Sequence, residues 1–188
     1  MRLVGLLTLV ALTAPFAAAQ QNQIFDPRTL APFVPTPDVV VERMLEAAEV
    51  DEKDVVYDLG SGDGRILFSA AETFGAKAVG IEINKTLCEQ TELQARTLGI
   101  EDRVSVIQQD VFDVDLSPAT VVTVYLLSSS NDKLKPKLEA ELKPGARVVS
   151  HDFQFRGWLP EKTVEAEMDG PRKHRVYVYR MGSHKPAQ

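Results

Sequence analysis

The sequence predicts an α/β fold, a doubly wound seven-strand sheet that is mostly parallel and closes on a C-terminal antiparallel hairpin. Three observations lead there. Five apolar, β-branched runs, at 54–59, 78–82, 104–108, 119–127 and 147–153, have the length of buried strands, and helical apolar spacing fills most of the stretches between them. The first run passes through Gly60, Gly62 and Gly64 straight into Arg65-Ile66-Leu67-Phe68, which reads as strand, tight turn and helix. The chain ends on two more β-rich runs, 163–168 and 176–180, parted by Asp169-Gly170-Pro171 as a hairpin would be.

Taken in order, residues 1–19 stand apart from that fold. Arg2 is the only charge before Asp26, an apolar run follows it, Pro15 breaks the run, and Ala17-Ala18-Ala19 offers a small-residue cleavage site. The pattern is a secretory signal peptide, with an uncleaved membrane anchor as the alternative, although the apolar core is short for a span. It predicts a periplasmic or secreted protein, against a membrane-anchored or cytoplasmic one. Residues 20–37 follow as an extended strap, because Pro32, Pro35 and Pro37 forbid helix and stiffen the backbone. Such a strap either closes over a ligand at the glycine turn or is an ordinary linker.

A single domain over 38–182 suits the chain length, and 183–188 is a short tail. Thr36 or Asp38 is expected to cap a helix over 39–49, and the first strand, 54–59, feeds a helix over 64–74. The second strand leads to a helix over 85–98, capped by Asn84 and ended by Gly99. Asn131 is expected to cap a helix that runs to Leu142 and is interrupted or bent near Pro136. Hydrophobic residues at 44% and charged residues at 26% give an ordinary globular core, and a formal net charge of −6 speaks against a nucleic-acid partner. One cysteine, Cys88, excludes an internal disulfide and a cysteine metal site.

The glycine turn carries the chemistry. Glycines serve there because the chain must turn through left-handed steps and a ligand must lie almost against the backbone. A dinucleotide site wants G-x-G-x-x-G, but Arg65 stands where the third glycine belongs when counting from Gly60, and Leu67 when counting from Gly62. The turn Asp58-Leu59-Gly60-Ser61-Gly62-Asp63-Gly64 instead resembles motif I of the class I S-adenosylmethionine (SAM) methyltransferases, a Rossmann-like superfamily. The physics agrees, since SAM has no pyrophosphate but carries an ammonium and a sulfonium that favour nearby carboxylates, here Asp58 and Asp63.

Glu82 ends the second strand about twenty residues past the glycines, where a carboxylate accepts from both ribose hydroxyls in SAM and dinucleotide folds alike. Asp110, with Val111 and Phe112, resembles the adenine pocket of the superfamily. Tyr125-Leu126-Leu127-Ser128 stands where enzymes that methylate planar NH₂ groups carry Asn or Asp followed by Pro-Pro-Tyr, which disfavours amide or base methylation. Together with Phe33-Val34-Pro35-Thr36-Pro37, Leu134-Lys135-Pro136-Lys137-Leu138 and Val149-Ser150-His151-Asp152-Phe153, the chain resembles the small protein-lysine methyltransferases whose animal members are membrane-anchored mitochondrial enzymes.

That resemblance implies SAM as cofactor, with Thr36, Asp58, Gly60, Gly62, Glu82, Asp110 and Val111 around it, and no metal. It implies a protein lysine as acceptor; the chain departs from the group in its apparent export signal, and membrane association through residues 1–19 rests on that segment's own apolar pattern. The reaction is an in-line displacement, in which alignment matters most. A lysine must first lose a proton, since about one part in a few thousand is neutral at pH 7, and an apolar slot lined by Tyr125, Phe153 and Trp158 would help by desolvation. His151 or Asp152 accepts the proton through water, unless His151 is a hydrogen-bonded structural residue beside the site. Tyr125, His151 and Asp152 are therefore the candidate catalytic residues. A small-molecule methyltransferase with the same cofactor site, and a non-catalytic nucleotide-binding module, are the alternatives.

Overall fold

The computed structural model describes residues 30–166 and 173–185. The expected signal segment, the first part of the strap, the Asp169-Gly170-Pro171 turn and the last three residues lie outside them. The elements run α1 (Asp38–Ala47), β1 (Val55–Leu59), α2 (Arg65–Glu72), β2 (Lys77–Glu82), α3 (Lys85–Leu98), β3 (Val104–Gln108) and β4 (Val121–Val124), followed by α4 (Ser128–Glu141), β5 (Arg147–His151), β6 (Lys162–Ala166) and β7 (His174–Arg180). The strands form one seven-stranded sheet in the order β3-β2-β1-β4-β5-β7-β6. β7 is antiparallel to both β5 and β6, and the other pairs are parallel. The predicted fold class is the observed one. From β1 the chain steps outward to β3 and then returns to place β4 on the other side of β1, so the crevice of this open sheet lies at the carboxyl ends of β1 and β4.

Strand alternation decides what each face holds. Val56, Val121, Val149, Val176 and Val178 pack with Val40, Met44 and Leu45 of α1 and with Ile66 and Leu67 of α2. Their neighbours Tyr57, Val122, Val148, Tyr177 and Tyr179 pack on the opposite face with Leu134 and Leu138 of α4. By the same alternation His151 belongs to the α1 face and Ser150 to the α4 face. Each finds its partner there, His151 at Thr36 just before α1 and Ser150 at Asn131 of α4.

Local signals hold at α3, where the Asn84 side chain accepts from the N–H groups of Thr86 and Leu87, and Gly99 ends the helix at φ 68°. Three expected boundaries differ. Pro37 stands at the cap of α1 without a side-chain hydrogen bond, because the Thr36 hydroxyl lies 3.4 Å from His151 Nδ1 and Asp38 is already helical. β4 keeps only four residues, since Tyr125, Leu126 and Leu127 leave the sheet for the crevice and the start of α4. Asn131 is no cap: it sits fully buried inside α4, where Nδ2 donates to the Phe153 carbonyl at 2.9 Å and to Ser150 Oγ at 3.3 Å. α4 runs through Pro136 as one helix.

Candidate active site

A cavity of 730 Å³ opens at the carboxyl ends of β1, β2 and β4, with strap residues 30–36 across it. Thr36, Asp58, Gly60 and Gly62 line it from the strap and the glycine turn, Glu82, Asp110 and Val111 from the ends of β2 and β3, and Tyr125 from the end of β4. The three acids that the sequence placed at successive strand tips thus share one cleft. Phe112, expected beside Val111, is 38% exposed and does not belong to this wall.

The turn is built by Gly60, Gly62 and Gly64 at φ 83°, 54° and 79°, a region that a Cβ penalises. A Cβ on Gly62 would also stand 2.5 Å from the Phe33 ring, so the strap rests directly on the turn. Glu82 holds the turn from below: Oε2 accepts from the Gly62 N–H at 3.0 Å, and Oε1 from the N–H groups of Ile83 and Asn84 at 2.9 and 2.8 Å. Asp110 Oδ1 accepts from the Phe112 N–H at 3.1 Å.

Asp58 and Asp63, expected to act alike, have different surroundings. Asp63 is already paired, with Oδ2 2.6 Å from Arg65 Nη2 and Oδ1 3.0 Å from Arg65 Nε, and hydrogen bonds from Arg65 hold its carboxyl below the usual Asp range. Arg65 Nη1 reaches on to the Thr36 carbonyl at 2.8 Å, tying the turn to the strap. Asp58 is 3% exposed and accepts from Thr123 Oγ1 at 2.7 Å, and among the described residues no cation touches it. Burial pushes its carboxyl up to about 7, aided by the charges of Glu82 and Asp63 and opposed by Thr123.

Behind Tyr125 lies a second group. The Tyr125 ring stacks on His151 with centroids 3.8 Å apart, and Phe153 follows at 6.2 Å. His151 is fully buried, with Nδ1 3.4 Å from Thr36 Oγ1 and Nε2 2.8 Å from His174 Nδ1, which in turn lies 3.0 Å from Asp152 Oδ2. His151 and Asp152 are set back from the cavity wall, behind Thr36 and Tyr125. Simple alternation would send Asp152 to the opposite face from His151. Its φ of 56°, with the Phe153 N–H donating to the His151 carbonyl at 2.6 Å, reverses the chain and turns the carboxylate toward His174. Burial raises the Asp152 carboxyl, but the Arg175 N–H and the two imidazoles outweigh it and hold it below the usual Asp value. Two nitrogens 2.8 Å apart are at proton-sharing distance. Ligand nitrogens on a tetrahedral zinc, with bonds of about 2.0–2.1 Å, stand about 3.4 Å apart.

Sequence reading missed His174, which the antiparallel return of β7 delivers from 23 residues away. It also misplaced Trp158, which is buried on the α4 face, stacked on Phe155 at 4.6 Å and donating to Glu139 at 2.9 Å. The aromatic residues that line the cleft are Phe33 and Tyr125, and Phe153, expected in the slot, stands outside that lining with its ring centroid 6.2 Å from that of Tyr125.

The sheet order, the glycine turn and the converging strand-tip acids define a class I SAM-dependent methyltransferase. The residues present fit SAM: the cavity falls within the about 300–1,000 Å³ usual for small-molecule sites, Asp58 offers a buried carboxylate to an ammonium, and Ser61 Oγ is buried without a partner among the described residues. A family profile described as the ANTKMT methyltransferase domain matches residues 58–162, and the chain belongs to that family. A protein-lysine N-methyltransferase of Saccharolobus islandicus is 52% identical over 155 residues, 82% of this chain and 96% of that protein. A lysine N-methyltransferase of Rattus norvegicus, named for an ATP synthase subunit, is 31% identical over 179 residues, 95% of this chain and 77% of its own length. The crystal structure of an RNA methyltransferase from Salinibacter ruber in complex with S-adenosyl-L-homocysteine superposes with a TM-score of 0.76 at 50% identity, covering 82% of this chain and 98% of that one.

Proposed function

We propose that this enzyme transfers the methyl of SAM to the side-chain amine of a protein lysine by in-line displacement. The observation that carries the reading is the end of β4, where Tyr125 faces the cavity with His151 stacked behind it, in place of the amide or carboxylate and prolines that hold a planar NH₂. The two lysine methyltransferases among its relatives support it. Bound SAM supplies an electrophilic methyl on a sulfonium.

In this reading Asp58 holds the ammonium end of the cofactor, and the positive φ of Gly60 and Gly62 lets the backbone approach it. Glu82 keeps acceptor capacity for one ribose hydroxyl, because a carboxylate offers about four lone-pair sites and N–H groups occupy three of them. Asp110 accepts from the adenine amine while Val111 borders the ring. Thr36 and the strap exclude water. Tyr125, backed by Phe153, desolvates the lysine, which favours its neutral form, and attracts the methylated cation through its face. His151, with Asp152, takes the proton.

The Salinibacter ruber protein suggests RNA as a second acceptor class, which the net charge of −6 opposes. Radiolabelled SAM incubated with the enzyme, total protein and total RNA separates the two. Label recovered as methyllysine after acid hydrolysis supports the reading, and label in nucleosides or in an extractable small product overturns it. We infer further that residues 1–19 export the enzyme to the periplasm or beyond, or anchor it. Among the described residues no helix is long and apolar enough to cross a membrane. Fractionation with an antibody to the C-terminus tests this, and recovery of full-length chain only from the cytoplasm refutes it.

A further inference from the structure

We propose that His174 is a positioning residue for proton removal, the inner station of a relay that runs from Thr36 at the cavity through His151 to His174 and Asp152. The proposal deepens the lysine reading and rests on it. A lysine amine arrives as an ammonium, and the displacement needs its lone pair, so one proton must leave the cleft in each cycle. Thr36 is the polar residue among strap residues 30–36 that line the cavity, and its Oγ1 lies 3.4 Å from His151 Nδ1. The opposite nitrogen, Nε2, lies 2.8 Å from His174 Nδ1. Only one hydrogen fits between two nitrogens so close, so each tautomer of His151 fixes the other ring.

That coupling makes a relay. At the start His151 carries its hydrogen on Nε2 and donates it to His174 Nδ1, leaving Nδ1 of His151 to accept from the Thr36 hydroxyl. The ammonium gives its proton to Thr36 Oγ1 as the Thr36 hydrogen passes to His151 Nδ1. The Nε2 hydrogen of His151 then moves to His174 Nδ1. His151 ends neutral, the lysine holds its lone pair, and the positive charge rests on His174, 3.0 Å from the Asp152 carboxylate. The first step breaks two bonds to hydrogen and forms two, the second breaks one and forms one, and nothing is oxidised or reduced.

The surroundings suit that end state. Among the described residues the titratable groups facing His151 are Asp152 at the end of its own strand, His174 from β7 and Tyr125 from β4, and Thr36 before α1 is neutral. Asp152 is held in place from both sides, Oδ1 accepting from the Arg175 N–H at 2.9 Å and its own N–H donating to the Arg175 carbonyl at 2.7 Å. Its side chain keeps 17% exposure against 0% for His151, so solvent reaches the counter-charge. Once the methylated product has left, the same transfers run backwards, release the proton from Thr36 to water in the cavity and return His151 to its starting tautomer. The strained φ of 56° at Asp152 is what turns that carboxylate onto His174.

The test is the pH dependence of methyllysine formation by the full chain at saturating SAM, in a fixed total-protein extract, between about pH 6 and 10. In the wild type the rate should change little between about pH 7 and pH 10, because the relay takes the lysine proton where lysine would otherwise keep it. His174→Phe should lose about 100-fold at pH 7, the scale of general-base assistance, and recover to within about threefold near pH 10, where lysine sheds its own proton. Its SAM affinity should stay unchanged. Thr36→Val, which keeps the shape and removes the hydroxyl, should show the same pH-shaped loss, and covers the case of a His174 variant that fails to fold. A loss equal at every pH, an unchanged profile, or a rate raised by added zinc and removed by EDTA overturns the relay. A wild type that forms no methyllysine overturns the acceptor reading, and the relay with it.

Discussion

Burial and the charges of Glu82 and Asp63 push the Asp58 carboxyl up to about 7, against an ordinary value of 3.8. Between those two pH values the folded chain binds more protons at this position than the unfolded chain does, so the stability Asp58 contributes falls as pH rises through the window. The loss is on the order of a few kcal/mol at pH 7. Asp58→Asn should therefore melt higher than the wild type at pH 7 to 8 without ligand, with the gap closing toward pH 4. Carboxylates held low, such as Asp63 beside Arg65, give the opposite slope, and comparing the two proteins cancels them. An ammonium placed against Asp58 reverses the shift, so SAM binding near pH 7 should release protons. Calorimetry in buffers of different ionisation enthalpy reads that release, and Asp58→Asn should show none at this site while binding SAM about 10- to 100-fold more weakly, the worth of a charge-assisted hydrogen bond. Equal melting at pH 8 would mean the buried carboxyl is not under strain.

At the scale of the element, the strap and the glycine turn close on each other. Phe33 covers Gly62, Arg65 joins Asp63 to the Thr36 carbonyl, and Ser130 at the start of α4 donates to the Leu30 carbonyl at 2.5 Å. Gly62→Ala would drive its Cβ into the Phe33 ring and strain a φ of 54°, so it should raise the KM for SAM at least tenfold in initial-rate assays. Asn131→Ala should lower Tm by about 2–8 °C in a thermal melt, since it removes the donor that the Phe153 carbonyl and Ser150 share. Both features bear on what the sequence makes legible. Asn84 and Gly99 could be read because a cap is decided by the residue and its next few neighbours. Asn131 could not, because its Nδ2 finds the Phe153 carbonyl, 22 residues later, only after α4 packs on β5. The glycine turn and the strand-tip acids were legible because each closes its own strand. His174 was not, since only the pairing of β7 with β5 brings it to His151, and Trp158 was misplaced because it lies in the connection between β5 and β6, where no strand alternation declares its face.

For the whole molecule, the open sheet sets the cofactor where the halves of the domain meet. Asp58 comes from β1, Glu82 and Asp110 from the β2 and β3 side, Tyr125 from β4, and the strap reaches in from before α1. A ligand that touches all of these couples elements that otherwise open separately, and it binds only the folded chain. Its binding free energy then adds to global stability, by about 2.7 kcal/mol at a hundred times Kd. In a chain of this length that corresponds to a rise of about 5–10 °C in Tm. SAM and S-adenosyl-L-homocysteine should both produce such a shift, because both carry the ammonium, the ribose and the adenine that the strand tips meet. NAD should produce little, since the turn has Arg65 where a dinucleotide site places its third glycine, and the acids around the cleft repel a pyrophosphate. A thermal melt with each ligand at equal concentration reads the difference, and a shift with NAD that matched or exceeded the shift with SAM would contradict the cofactor geometry from end to end.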